Sequence, residues 1–345
     1  MGDKTGIEWT DATWNPIRGC SRVSEGCRHC YAERVAARFS GPGMPYEGLP
    51  KVSRMLPVQR RWNGTVRMVA EHLADPLRWK KPRRVFVNSM SDLFHESLTN
   101  EQIAAVFGVM AAAPQHTFQV LTKRAARMRA WFEWAASTSE YHAIRRCGDE
   151  AEKHGAPVYV KRKKDGRSPW NDSRCSWPMP NVWLGVSVEN QSAADERISE
   201  LLATPAAVRW ISAEPLIGAV DLSAFIGGPY VTIPGDTVVD SYNAGLSWVV
   251  AGCESGPGAR PCDVKWLRWL RDQCRDAGVP FFLKQAVVVP DDGDREDPRE
   301  VGYPSGPLLT GIQCGDGSHR KASGVIGLPY LDGVQHAAFP AVPRG

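Results

Sequence analysis

The sequence predicts an α/β protein, a full or partial TIM-like (β/α) barrel with a cysteine-rich N-terminal metal loop and basic insertions. Three observations predict it. Six short apolar, β-branched runs alternate with amphipathic stretches, the pattern of a parallel sheet covered on both faces. Each run hands over to a polar or charged residue, as barrel strands do where they carry a site at one rim. No G-x-G-x-x-G follows the first run, which removes the dinucleotide-binding form of the alternative, an open doubly wound sheet. A chain of 345 residues can bury one large core, so 1–345 is read as a single barrel domain.

Taken in order, a first strand is expected near Ile7–Trp9, and then the cysteines begin. Cys20, Cys27 and Cys30 are spaced C-x6-C-x2-C and run straight into an amphipathic stretch, Tyr31–Phe39, so that 1–40 forms a metal loop and first helix. Thiolates facing a helix N-terminus are favoured by its dipole and are soft ligands for zinc or iron–sulfur iron. Three ligands leave one coordination position open. Gly19 and Gly26, each just ahead of a cysteine, are expected to let the backbone fold close to a cluster. Residues 40–63, rich in Gly and Pro, read as a loop with little regular structure, and Val66–Trp79 as a helix.

The six strands are Arg84–Met90, Thr117–Lys123, Val182–Val188, Val208–Ala213, Leu246–Gly252 and Pro280–Lys284. Thr99 and Gln102 make a capping box, and Ile103, Phe107, Met110 and Ala111 one apolar face behind it. Gln191–Leu202 and Asp263–Ala277 are further helices, the second closed by Gly278 and Pro280. Residues 136–180 form a basic, irregular insertion, and 286–327 a Gly/Pro-rich loop. The tail around Leu328–Gly333 has room to pack back on the body.

No apolar run is long enough to span a bilayer and the start is polar, which points to the cytoplasm. Nine cysteines in such a chain suggest metal or catalytic thiols, not a disulfide framework, with Cys147, Cys175, Cys253, Cys262, Cys274 and Cys314 as core residues. Net charge is only +4, but residues 123–167 hold 12 Lys/Arg against 6 Asp/Glu, interleaved with Trp131, Phe132, Trp134 and Tyr141. Cations beside stacking surfaces are what nucleic acids need, and Lys123, Arg124, Arg127, Lys161, Arg162, Lys163 and Lys164 are the candidate contacts. Arg60-Arg61-Trp62 and Lys80-Lys81-Pro82-Arg83-Arg84 add two smaller clusters.

At the strand ends stand Asp92, Glu189, Glu214, Glu254 and Lys284, the candidate catalytic set, since acids crowded on one rim shift one another's pKa values towards acid–base work. His95, beside Asp92, is a candidate to orient a base or complete a metal's ligands.

These residues also resemble a family. Thr13-Trp14-Asn15-Pro16, Gly19-Cys20, Gly26-Cys27, Cys30-Tyr31-Ala32-Glu33, Asn88-Ser89-Met90-Ser91-Asp92-Leu93-Phe94-His95, Leu121-Thr122-Lys123-Arg124, Ser187-Val188-Glu189-Asn190, Ser212-Ala213-Glu214-Pro215 and Phe282-Leu283-Lys284-Gln285 are similar to a phage- and prophage-encoded three-cysteine family. The resemblance implies two chemistries. One is that of guanine transglycosylases, barrel enzymes with a zinc site, which would exchange guanine in DNA for a 7-deazaguanine base of the preQ0 type. Asp92 and Glu214 would then be nucleophile and acid/base. This is the leading expectation. The other is that of radical S-adenosylmethionine enzymes, in which Cys20, Cys27 and Cys30 would hold a 4Fe–4S cluster and Glu254 the cofactor's amino group. There the usual spacing is C-x3-C-x2-C. Either chemistry needs the target base out of the stack. A third expectation is a non-catalytic, metal-stapled DNA-binding module.

Overall fold

The computed structural model describes residues 5–53, 59–137, 139–158, 176–226, 245–255, 258–285, 330–331 and 334–340. Seven strands form one sheet: β1 (Ala12–Trp14), β2 (Arg84–Val87), β3 (Thr117–Thr122), β4 (Val182–Ser187), β5 (Val208–Ala213), β6 (Trp248–Gly252) and β7 (Phe281–Gln285). They lie side by side in chain order, and β1–β2, β2–β3, β3–β4, β5–β6 and β6–β7 pair parallel. A doubly wound sheet reverses its strand order at a switch point, and this one does not. The order is that of a partial (β/α) barrel, with β1 and β7 as the end strands.

The chain divides into two compact units, Met1–Val186 with Ala203–Val208, and Ser187–Leu202 with Arg209 onwards. In the first unit, β1 starts later than the expected Ile7–Trp9 strand. Ile7 to Thr10 is a turn, and Arg84 sets the register through Thr10 Oγ1 on its carbonyl (3.1 Å) and its own N–H on Asp11 Oδ2 (2.8 Å). Helix α1 (Tyr31–Arg38) follows the cysteine loop directly. Within 40–63, expected as a loop with little regular structure, two segments are strands. Pro50–Ser53 pairs antiparallel with Gln59–Trp62, because Leu49 and Trp62 pack on Ala32 and Ala36 of α1 and on Met90. The expected helix Val66–Trp79 is instead a short strand, Arg67–Met68, paired with Ile17–Arg18, then two four-residue helices broken ahead of Pro76, whose missing N–H interrupts the ladder.

Helix α2 (Asn100–Ala112) carries the expected capping box and buries Ile103, Phe107, Met110 and Ala111. Helices α3 (Ala125–Ala135) and α4 (Glu140–Lys153) follow. The basic insertion is thus helical over its first part, a correction with a simple cause. The buried stripe of α4 is Ala143, Ile144, Cys147 and Ala151, at helical spacing but with three small residues out of four among many charges. Gly108 is what lets α4 come close, since a Cβ there would lie 2.1 Å from the Cys147 carbonyl oxygen. Phe107 stacks on Trp131 at 4.3 Å in the same core.

The second unit packs α5 (Gln191–Leu202) and α6 (Val264–Asp276) with the three last strands. Asp263 caps α6 by accepting from Lys265 N, and Trp248 meets Trp210 at 5.3 Å and Phe339 at 5.4 Å. The tail runs along β7, Leu283 N donating to His336 O and Ala338 N to Phe281 O, so the last strand's edge is covered. The 286–327 loop lies outside the described residues. Among the described residues no helix is long and apolar enough to cross a membrane.

Candidate functional site

In the first unit the loops after β1 and β2 are tied together by two asparagines. Asn88 N donates to Trp14 O (2.8 Å) and its Oδ1 accepts from Ile17 N, while Asn15 Oδ1 accepts from Met90 N and Ser89 Oγ. Asn88 does this at φ 61, a left-handed conformation that asparagine tolerates better than most residues. Gly19 also has positive φ (95), for a reason unlike the expected one. A Cβ there would sit 2.1 Å from the Thr65 carbonyl oxygen, so glycine is required by a neighbouring chain segment and not by a cluster. From Cys20 the loop passes through a 3-10 turn, Glu25–Cys27, and Cys30 caps α1.

Asp92, just beyond β2, is the hub behind this loop. Its Oδ1 accepts from Thr122 Oγ1 (2.7 Å) and Phe94 N (3.0 Å), its Oδ2 from Lys123 N and Arg124 Nη1 (both 3.1 Å). Four donors occupy the carboxylate, which leaves little of it to attack a substrate. Arg124, 4% exposed at its side chain, extends the network to Glu96 Oε1 (2.8 Å), Ser21 Oγ (2.8 Å) and, more weakly, Cys20 Sγ (3.9 Å). His95 completes it. Ser97 N donates to Nδ1 (3.1 Å), which assigns the proton to Nε2 and hence the donor role towards Ser21 Oγ at 2.8 Å. Burial first, then Arg124, hold its pKa below the ordinary value, so it is a neutral strut with both nitrogens in use.

Cys20, Cys27 and Cys30 are all free thiols and half-buried. Burial pushes Cys20 up to about 12, Asp92 adds to this, and Arg124 opposes it. Burial likewise raises Cys30, outweighing the N–H groups of Glu33 and Ala32 at the start of α1. The expected dipole effect is present, and desolvation exceeds it. Cys30 and Cys27 add the smallest contributions to the Cys20 shift. Among the described residues no group of three or more His, Cys, Asp or Glu side chains stands arranged to hold a metal ion. The donor chemistry of the loop suits a soft metal, with Arg124 to offset thiolate charge, while coordination requires the sulfurs to close further.

The second unit holds the other acids, each in a closed pair. Glu189 and Arg197 (1% and 5% exposed at their side chains) meet at 2.8 Å, and Arg197 also donates to Ser187 O. Glu254 is clasped by Arg260 through its backbone N (2.9 Å), Nε (3.0 Å) and Nη2 (2.6 Å). Glu214 reaches Lys284 Nζ at 2.5 Å across β6, where Gly252 has no side chain to intervene. Asp92 and Glu214, expected as partners in base exchange, belong to different units. Cys253 and Cys262 are buried free thiols, and the hydrogen bond from Cys253, then burial, raises the Cys262 pKa, as suits core thiols.

The expected nucleic-acid residues scatter. Arg124 is a network residue, Arg127 donates to Asn100 Oδ1 (2.6 Å), and Lys123 is half-buried. Lys161, Arg162, Lys163 and Lys164 lie outside the described residues. Trp131 and Phe132 are core residues, so they offer no stacking surface, and Trp134 is covered by Arg146 at 4.7 Å. Sequence reasoning missed Ser21, Glu96, Thr122, Arg197 and the partnership of Glu254 with Arg260. An Arg six residues after an acid in a Gly/Pro turn was the one legible hint.

A family model described as a protein of unknown function, DUF5131, matches residues 4–340. No curated protein and no solved structure matches the chain.

Proposed function

The chain belongs to the DUF5131 family, and we propose that it is an iron–sulfur enzyme that acts on nucleic acid, with Cys20, Cys27 and Cys30 as cluster ligands and S-adenosylmethionine as co-substrate. One observation carries this reading: the three-cysteine loop leaves the end of β1 in a singly wound parallel sheet and runs directly into α1. That is where a barrel places its chemistry. A cluster held by three thiolates supplies, when bound, an electron and an open iron for the cofactor.

The chain's own residues prepare the place. Asn15 and Asn88 fix the loop's direction, Asp92 fixes Arg124, and Arg124 sets a positive charge beside Cys20. Base exchange, the leading expectation from sequence, asks for two carboxylates with unoccupied oxygens. Asp92 with four donors and Glu214 bound to Lys284 fit that demand less well.

Anaerobic purification with iron and sulfide reconstitution tests the reading. The expected product is brown, with about four irons per chain, and loses its colour in Cys20→Ser, Cys27→Ser and Cys30→Ser. A colourless protein with a single zinc supports base exchange instead. A colourless, metal-free protein that binds DNA supports the non-catalytic module.

A further inference from the structure

Of the eight large hydrophobic side chains exposed among the described residues, six fall between Val23 and Val52. Three of these, Tyr31, Val35 and Phe39, recur every four residues and so line one stripe along α1 and just past its end, at 45%, 37% and 44% exposure. The hairpin Pro50–Ser53/Gln59–Trp62, packed on α1, contributes exposed Lys51, Arg60 and Arg61. With Arg34 and Arg38, α1 and the hairpin carry five cations against one acid, Glu33, and that acid is 2% exposed and bound to Arg22. Side chains alternate along a strand, so Arg60 lies on the side of Trp62, which packs on α1, and the cross-strand pair Lys51 and Arg61 on the other.

We propose that this face of α1 and the hairpin binds a single-stranded nucleic acid, its phosphates on Arg60 and Arg38 and its bases against the exposed rings of Phe39 and Tyr31. The chemistry is that of strand-binding surfaces generally: cations that track a backbone beside aromatic rings that accept any base. Charge complementarity selects this occupant over a second copy of the chain, whose own face would bring the same cations into contact. Tyr31 follows Cys30 directly and donates to Ser89 O (2.6 Å), so a strand on this face passes beside the cysteine loop. The inference rests on the function proposed above in taking nucleic acid as substrate, and it names the surface that receives it.

The test is fluorescence anisotropy with a labelled DNA single strand and a duplex of equal length, over a range of salt, on protein as purified. Phe39→Ala should weaken strand binding about tenfold. Arg38→Ala/Arg60→Ala should lower the slope of log affinity against log salt by about 1.4. Arg275→Ala, on α6, should change neither, and circular dichroism should show all variants folded. Variants that bind like the parent overturn the proposal. So does equal affinity for strand and duplex with no loss in Phe39→Ala. So does a variant that leaves binding intact and turns a sedimenting dimer into a monomer, which would make the face a contact between copies. Iron content is read separately: strand binding without a cluster sinks the iron–sulfur reading alone, and a cluster without strand binding sinks only this one.

Discussion

The two units treat their acids differently. In the first, Asp92, Arg124, Glu96, Ser21 and His95 form one branching network that reaches a sulfur. In the second, Glu189, Glu214 and Glu254 are each closed against one cation, in three separate pairs. A closed pair at a strand end stabilises the sheet's turns. A network that ends on a thiol has a direction, and what it points at is the cysteine loop. The comparison teaches that a charged strand end marks a reactive group only when its partners leave something for a substrate.

If the second unit's pairs are ties, the largest effect belongs to the most buried. Glu189→Ala strands Arg197 without its counter-charge and should cost about 3–5 kcal/mol in urea unfolding, with Glu189→Met/Arg197→Met recovering most of it. A double variant no better than the single would break the comparison. Next is the hub. Asp92→Asn keeps the shape but turns a donor towards Lys123 N and Arg124, at about 2–3 kcal/mol, and cluster loading should fall with it. Full stability together with lost activity would instead restore Asp92 as a nucleophile.

A smaller effect sharpens the account of the sulfurs. On chelator-treated protein at pH 8, Cys20 should react with iodoacetamide roughly 10³-fold more slowly than an ordinary thiol, because burial holds it near 12. Rapid labelling at Cys20, read by peptide mass, would show the loop to be open. The smallest effect is at the entry to β2. Arg84's hydrogen bond lowers the folded pKa of Asp11, so its stabilisation is present above the unfolded value near 3.8 and fades as pH falls through the folded one. Asp11 is 44% exposed, so Asp11→Asn should remove less than about 1 kcal/mol and flatten that acid limb.

Much of the fold was legible. The runs that became β2 to β6 carry β-branched residues and are largely buried, β7 opens on the buried Phe281, Phe282 and Leu283, and α2 announced itself through Thr99 and Gln102. What stayed hidden has physical causes. The stripe of α4 has one large apolar residue, Ile144, among alanines and a cysteine, and the pairing of Pro50–Ser53 with Gln59–Trp62 depends on Leu49 and Trp62 finding α1. β1 is three residues long, and its place comes from Arg84 far along the chain. Of the site, the cysteines and Asp92 could be picked by type and spacing. Their hydrogen bonds could not, because Ser21, Thr122 and Arg124 meet only after the sheet has formed.

Gly19 lies so close to Thr65 that a methyl group has no room. The aim of the sulfurs is therefore borrowed from a segment that the spacing of the cysteines never mentions. Transplanting residues 14–34 onto another scaffold would carry the ligands and lose their heading, whereas a graft that brought along Thr65 and the strand after it, Arg67–Met68, would keep both.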